Sequence, residues 1–199
     1  MDEDMSRAVS SVDAYEKHAQ KFLKIRDRST IGKHVVEQWA RTLSDGSNVI
    51  EIACGGGLPV TQILSQANLN IWAIDASPTL VAEFKARFPT IPVQCERAQT
   101  SDYFGRKFNA AIAVGLIFLL SEADQIKVIN RISQILLPQG RFLFTAPIEI
   151  GTWQDINTGH QCQSLGREQY RKVLSQSSFE IISNYEDKGG NNYYEVEKA

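Results

Sequence analysis

A glutamate inside an apolar run, three consecutive glycines and an aspartate one strand further on have the types and spacing to hold a ligand. The first two lie in VIEIACGGGLPV, from Val49 to Val60, and the third ends the run IWAID at Asp75. Glycines between a strand and a helix let the backbone approach a bound molecule closely. A carboxylate about 20 residues beyond such a loop can accept both hydroxyls of a ribose. Glu51 interrupts an otherwise apolar strand, where an unpaired charge is costly, so it needs a donor or a cationic group beside it. The competing readings are a turn that only packs, and an Asp75 side chain that only caps the following helix.

Three nucleoside-bearing cofactors can be weighed against these residues. A nucleoside triphosphate loop needs G-x-x-x-x-G-K-[ST], and no lysine follows Gly57. A dinucleotide fold needs a third small residue after Gly55-x-Gly57, where Val60 stands and would hinder close helix packing. S-adenosylmethionine has no pyrophosphate, and its ammonium suits a strand that bears Glu51.

The elements that must position these residues follow from periodicity. Short apolar runs at Val49–Ala53, Ile71–Ile74, Ile91–Gln94, Ala110–Val114 and Arg141–Thr145 read as strands buried on both faces. Helical stretches alternate with them. Ser77–Pro78 is a helix start. Ser121 followed by Glu122 and Asp124 opens another, with Ile126, Ile129, Ile132 and Leu136 on one stripe and a stop at Pro138 and Gly140. Upstream, Val12–Ile25 and Ile31–Leu43 read as helices and residues 1–10 as loose. Downstream, a helix at Arg167–Ser177 precedes two strands, Phe179–Glu186 and Asn192–Glu197, joined by the hairpin signal DKGGNN. The fold class is α/β: a Rossmann-like, seven-stranded, mostly parallel sheet with helices on both faces and an antiparallel C-terminal hairpin.

With these elements in order, the sequence resembles the class I S-adenosylmethionine-dependent methyltransferases. VIEIACGGGLP is similar to their first motif, E/D-x-G-x-G-x-G, and IWAIDASPTLVAEFKARF to the ribose-binding acidic motif. FNAAIAVGLIFLL resembles their fourth strand, and ILLPQGRFLFTAP their L-x-P-G-G turn. The resemblance spans Tyr15 to Pro147. It implies that Glu51 supports the loop and the methionine amino group, that Cys54, Gly55 and Gly57 line the methionyl end, and that Asp75, followed by Ala76, binds the ribose. It further implies Ala98 and Gln99 beside the adenine, Gly115 and Leu116 beneath the sulfonium, and N-terminal lid helices. S-adenosylhomocysteine would be the product, and no metal is expected. Ala53 and Gln139 depart from the pattern, since each stands where a glycine is usual. If Ala53 needed a positive φ, cofactor binding would suffer.

The acceptor is read from what is missing. No [DN]-P-P-[YF], no proline–cysteine pair and no acidic cluster follows the fourth strand, so nucleobase, cytosine-C5 and magnesium-dependent catechol chemistry are unsupported. A small-molecule acceptor is expected, with protein or RNA less favoured. Its pocket should be built by the N-terminal helices and by PIEIGTWQDINTGHQCQSLGREQY, a polar connector long enough to be functional. Trp153 could form an apolar wall there, and Asp155 or His160 a polar contact or base. On the lid, Tyr15 and His18 could face the site, and Arg26 could pair with the cofactor carboxylate. Tyr193 and Tyr194 alternate on the last strand, so at most one can face a pocket, and Tyr193 is the candidate.

Bulk properties agree with one domain over residues 1–199, divided into lid helices (1–45), cofactor-binding core (46–147) and substrate-side loop, helix and hairpin (148–199). The net charge of −2 provides no basic footprint for nucleic acid. A local basic run, Lys21 to Lys33, reads as a solvated helix face or an anion patch. No run approaches a membrane span and no secretory signal opens the chain. Cys54, Cys95 and Cys162 are widely spaced, as free thiols in a reducing cytoplasm would be. Nothing in the sequence marks an oligomeric state. Two other readings stay open: a catalytically silent relative that binds S-adenosylmethionine or a protein partner, and an NAD-dependent oxidoreductase.

Overall fold

The computed structural model describes residues 2–199, and the side chains of residues 11–199. A seven-stranded sheet forms the centre. In chain order its strands are β1 (Asn48–Ile52), β2 (Asn70–Asp75), β3 (Val93–Cys95), β4 (Phe108–Ala113), β5 (Leu136–Thr145), β8 (Phe179–Glu186) and β9 (Asn192–Lys198). Their spatial order is β3-β2-β1-β4-β5-β9-β8. The first five run parallel; β9 is antiparallel to β5, and β8 to β9. The order reverses at β1, and ligands of open α/β sheets bind at the strand ends beside such a switch.

Side-chain alternation sends each strand's residues to two apolar layers. Val49, Ile71, Ala110, Ile112 and Leu143 pack against α2 (Lys33–Ala40) and α3 (Val60–Gln66). Ile50, Ile52, Ala111, Phe142 and Phe144 pack against α5 (Glu122–Ile135) and α6 (Arg167–Gln176). Phe142, Phe144 and Tyr194 form a stacked row in that second layer, where each buried ring adds about 1.5–3 kcal/mol. Helix α4 (Pro78–Arg87) sits on the first face through Phe84, which meets Cys54 and Ala73. Helix α1 (Asp2–Arg26) lies outside these layers and touches α4 through Ala19, Leu23 and Leu80.

Four elements differ from the sequence reading. Helix α1 begins at Asp2, so its first turns take in residues expected to be loose. The second helix is shorter than Ile31–Leu43, because Gly32 turns the chain at φ 81° and admits α2 only from Lys33. Helix α5 stops at Ile135, and Leu136 already belongs to β5, paired with Phe108. Gln139 then adopts φ 61° inside a register shift. The connector after β5 is a two-stranded arm, β6 (Ile150–Gln154) paired antiparallel with β7 (Gln161–Leu165). Its strands carry glutamines, threonine and glycine on both faces, which masked the period-two signal.

Candidate active site

The glycine loop leaves β1 through three left-handed residues, Ala53 (φ 59°), Gly55 (φ 56°) and Gly57 (φ 85°). The Cys54 amide still donates to Ile74, and the Gly57 amide closes the turn on the Cys54 carbonyl at 3.0 Å. Asp75, at the end of β2, organises what faces the loop. Its Oδ2 accepts from the Gly55 amide and its Oδ1 from the Ser77 amide, both at 2.8 Å. Burial pushes its carboxyl up while those two amides oppose the shift. Each oxygen keeps a lone pair for a further donor.

Glu51 is buried on the α3 side of β1. Thr61, one residue into α3, donates to its Oε2 at 2.5 Å. Desolvation raises the Glu51 carboxyl to about 8, against the hydrogen bond from Thr61 and the positive charge of Arg26. Cys54 is buried and its thiol is held protonated, chiefly by burial and also by the Asp75 and Glu51 charges.

Helix α1 covers this loop. Added side-chain carbon at Gly55 would lie 3.3 Å from Phe22, and at Gly56 only 2.4 Å from Leu23. At Gly57 it would strike the Phe88 ring at 2.4 Å. The glycines therefore admit the lid and α4 as well as leaving room for a ligand. Two polar latches hold the lid. Glu16 accepts from the Ser77 hydroxyl and from the Thr79 amide and hydroxyl at the start of α4. Asp27 receives both terminal nitrogens of Arg87, at 2.8 and 2.7 Å. Of the basic run, Lys21, Lys24 and Arg28 are exposed, whereas Arg26 turns inward. It donates to the Ile31 carbonyl at 3.2 Å and feels the charges of Glu51 and Asp187.

A cavity of about 520 Å³ runs from this cradle to the β6–β7 arm, within the range of roughly 300–1,000 Å³ usual for small-molecule sites. Gly55, Asp75, Ala76 and Ser77 line one end, and Trp153, Asp155, Ile156 and Asn157 the other. Between them lie Gly115, Leu116 and Phe118, which follow β4. Thr145 accepts from the Gly115 amide at 2.7 Å and so fixes that turn. Phe118 and Trp153 pack at 5.6 Å between ring centroids.

Of the residues singled out in the sequence, Tyr15, Arg26, Ala53, Gly55, Asp75, Ala76, Gly115, Leu116, Trp153, Asp155 and Tyr193 line this one cavity. Glu51 and Cys54 line a smaller one of about 40 Å³ behind the loop, which shares Arg26, Ala53 and Gly55 with the first. Gly57, Ala98, Gln99 and His160 border neither. Gln99 donates to Asp124 at 3.1 Å. His160 is buried, with Nε2 3.2 Å from the Leu119 carbonyl oxygen. Tyr194 is buried in the aromatic row. Sequence reasoning missed Phe22, Ile31, Phe118 and Asn157 as lining residues. Phe22 was visible as an apolar position on a helix; the others depend on how loops fold back.

A family model described as a methyltransferase domain matches residues 49–140, the stretch that contains both the glycine loop and Asp75. The chain has the class I methyltransferase fold. Among solved structures, magnesium protoporphyrin IX methyltransferase from Synechocystis with bound S-adenosylhomocysteine superposes with a TM-score of 0.80. It is 12% identical, over 97% of this chain and 100% of that one. An S-adenosylmethionine-dependent methyltransferase from Clostridium acetobutylicum is 16% identical over 93% and 99% of the two chains, with a TM-score of 0.71. A glycopeptide N-methyltransferase complexed with S-adenosylmethionine is 18% identical over 87% and 96%, with a TM-score of 0.70. No curated protein matches the sequence. Among the described residues, no helix of this methyltransferase-fold chain is long and apolar enough to cross a membrane.

Proposed function

We propose that this protein transfers a methyl group from S-adenosylmethionine to a small-molecule acceptor. One observation carries the reading: a single cavity joins the Asp75–Gly55 cradle to an acceptor-sized space under the β6–β7 arm. The residues fit the cofactor. Asp75 presents buried carboxylate oxygens to ribose hydroxyls, and Arg26 presents a guanidinium suited to a carboxylate. Ala53, which stands where a glycine is usual, adopts a left-handed backbone at φ 59°, a conformation that costs a residue with a side chain. When bound, the cofactor supplies an electrophilic methyl group on a positively charged sulfur.

The chain's own residues then position and enclose. Cys54, Gly55 and Gly57 shape the methionyl end, with the Glu51 carboxyl behind them as a hydrogen-bond acceptor for its ammonium. Gly115 and Leu116 form the floor below the reacting centre. Phe22 and Tyr15 on α1 close the cradle and exclude water, as a lid should. Trp153 and Tyr193 wall the acceptor, and the Asp155 carboxylate is placed to take a proton from it. The same reading makes the protein a cytoplasmic enzyme.

The test is turnover. The protein is incubated with S-adenosylmethionine and a panel of amines, phenols, thiols and carboxylic acids, and S-adenosylhomocysteine is measured by mass spectrometry. Acceptor-dependent product supports the reading. Tight cofactor binding with no product across the panel would identify a silent relative instead.

A further inference from the structure

The acceptor end of the cavity has a definite chemical character. Its walls are apolar and aromatic: the Phe118 and Trp153 rings pack tilted at 45°, and Tyr15 on α1 is braced edge-on by Phe22 at 5.4 Å. Among the described residues, one carboxyl side chain lines this end, Asp155. Oδ2 of Asp155 is fully engaged within its own turn, accepting from the Asn157 amide at 3.2 Å, the Thr158 amide at 2.9 Å and the Thr158 hydroxyl at 2.7 Å. Those three donors orient the carboxylate. Asp155 also lines the cavity and interacts with the Tyr15 hydroxyl. Tyr15 is held as a neutral phenol by burial and by the Asp155 charge, so it can donate a hydrogen bond but not act as a base. Among the described residues, the one cation lining the cavity, Arg26, belongs to the opposite end beside Gly55 and Glu51.

We infer that this end of the cavity binds a protonated amine carried on an aromatic frame, with Asp155 as its counter-ion and Trp153 and Phe118 as its stacking walls. Charge decides the class. A carboxylate or phosphate acceptor would meet Asp155 as a like charge in an apolar setting, where such repulsion is least screened. A neutral alcohol would gain one hydrogen bond but no ion pair. An ammonium gains the ion pair and the attraction of the ring faces together. The three aromatic rings then select a flat, apolar body over a sugar or an aliphatic diamine. This assignment rests on the methyl-transfer reading for its purpose but not for its measurement, because it concerns binding to the protein's own side chains.

Calorimetric titration of the full chain tests it with three matched probes, 2-phenylethylamine, 2-phenylethanol and 3-phenylpropanoate, each with and without S-adenosylhomocysteine. The amine is expected to bind about tenfold or more tighter than the alcohol, and the carboxylate weakest. Asp155→Asn, which keeps an oxygen to accept from Thr158, should abolish the amine's advantage over the alcohol. Trp153→Ala, at a partly exposed site, should weaken amine and alcohol alike. Equal affinity for amine and alcohol, preference for the carboxylate, no binding of any probe, or an advantage that survives Asp155→Asn would overturn the inference. If S-adenosylhomocysteine does not bind while amine selectivity is present, the methyl-transfer reading fails and this one stands.

Discussion

The Asp75 carboxylate, which ends β2, accepts the backbone hydrogen of Gly55 at 2.8 Å and so ties the second strand to the glycine loop of the first. Its other oxygen accepts from Ser77, at the entrance to α4. One side chain thus fixes the loop, the strand end and the helix start, and still faces the cavity.

That double duty makes Asp75→Ala costly in two ways. Two buried amide donors lose their partner, at about 1–3 kcal/mol for each left unsatisfied. Binding of S-adenosylhomocysteine, measured on the folded fraction, should fall roughly ten- to hundredfold. Urea denaturation and calorimetry separate the two effects. Unchanged affinity would remove Asp75 from the ligand's surroundings.

Ala53 and Gln139 both adopt a left-handed backbone, φ 59° and 61°, which costs a residue with a side chain about 1–2 kcal/mol. Ala53→Gly and Gln139→Gly should each raise stability by up to about 1 kcal/mol, part of the relief being offset by unfolded-state entropy. Ligand affinity should not fall in either. Thermal melts of the two variants check the prediction, and a lowered melting temperature would contradict it.

The glycines at 56 and 57 should fail differently. A side chain at Gly56 meets the movable end of Leu23, so Gly56→Ala should leave the sheet intact and loosen α1. Faster hydrogen exchange confined to residues 12–27 would show this. A side chain at Gly57 meets the Phe88 ring at 2.4 Å and requires φ 85°, so Gly57→Ala should destabilise the whole protein by about 2 kcal/mol or more.

Glu51 should impose a pH slope. Its carboxyl is raised to about 8 in the fold, above its unfolded value, so the native state holds the proton more tightly. Its contribution to stability is present at low pH and is lost as pH rises from the ordinary carboxylate range through about 8. Glu51→Gln, which still accepts from Thr61, lacks this loss. The stability difference between variant and wild type should therefore grow with pH up to about 8 and then level off. A difference that is flat with pH would contradict the buried, proton-holding role.

The strands of the parallel sheet were legible because each is buried on both faces and reads as a short apolar run, as Val49–Ile52 does. The glycine loop and Asp75 were legible because their chemistry depends on spacing along the chain. The arm was not. Thr152, Gln154 and Gln161 are exposed polar residues and Gln163 is half-buried, on two short strands, so no apolar alternation marks them. The end of α5 was misplaced because Leu136 suits either the helical stripe or a buried strand, and only its pairing with Phe108 decides. Phe118 meets Trp153 across 35 residues of chain, a contact that no local pattern encodes. The dual purpose of Gly56, room for Leu23, was hidden for the same reason.

The most direct test of the account is the unfolding free energy measured with S-adenosylhomocysteine or with NAD at matched concentrations. S-adenosylhomocysteine at 100 times its dissociation constant should add about 2.7 kcal/mol, and NAD should add nothing. Stabilisation by NAD with none from S-adenosylhomocysteine would contradict the assignment of this cavity to a methyl donor.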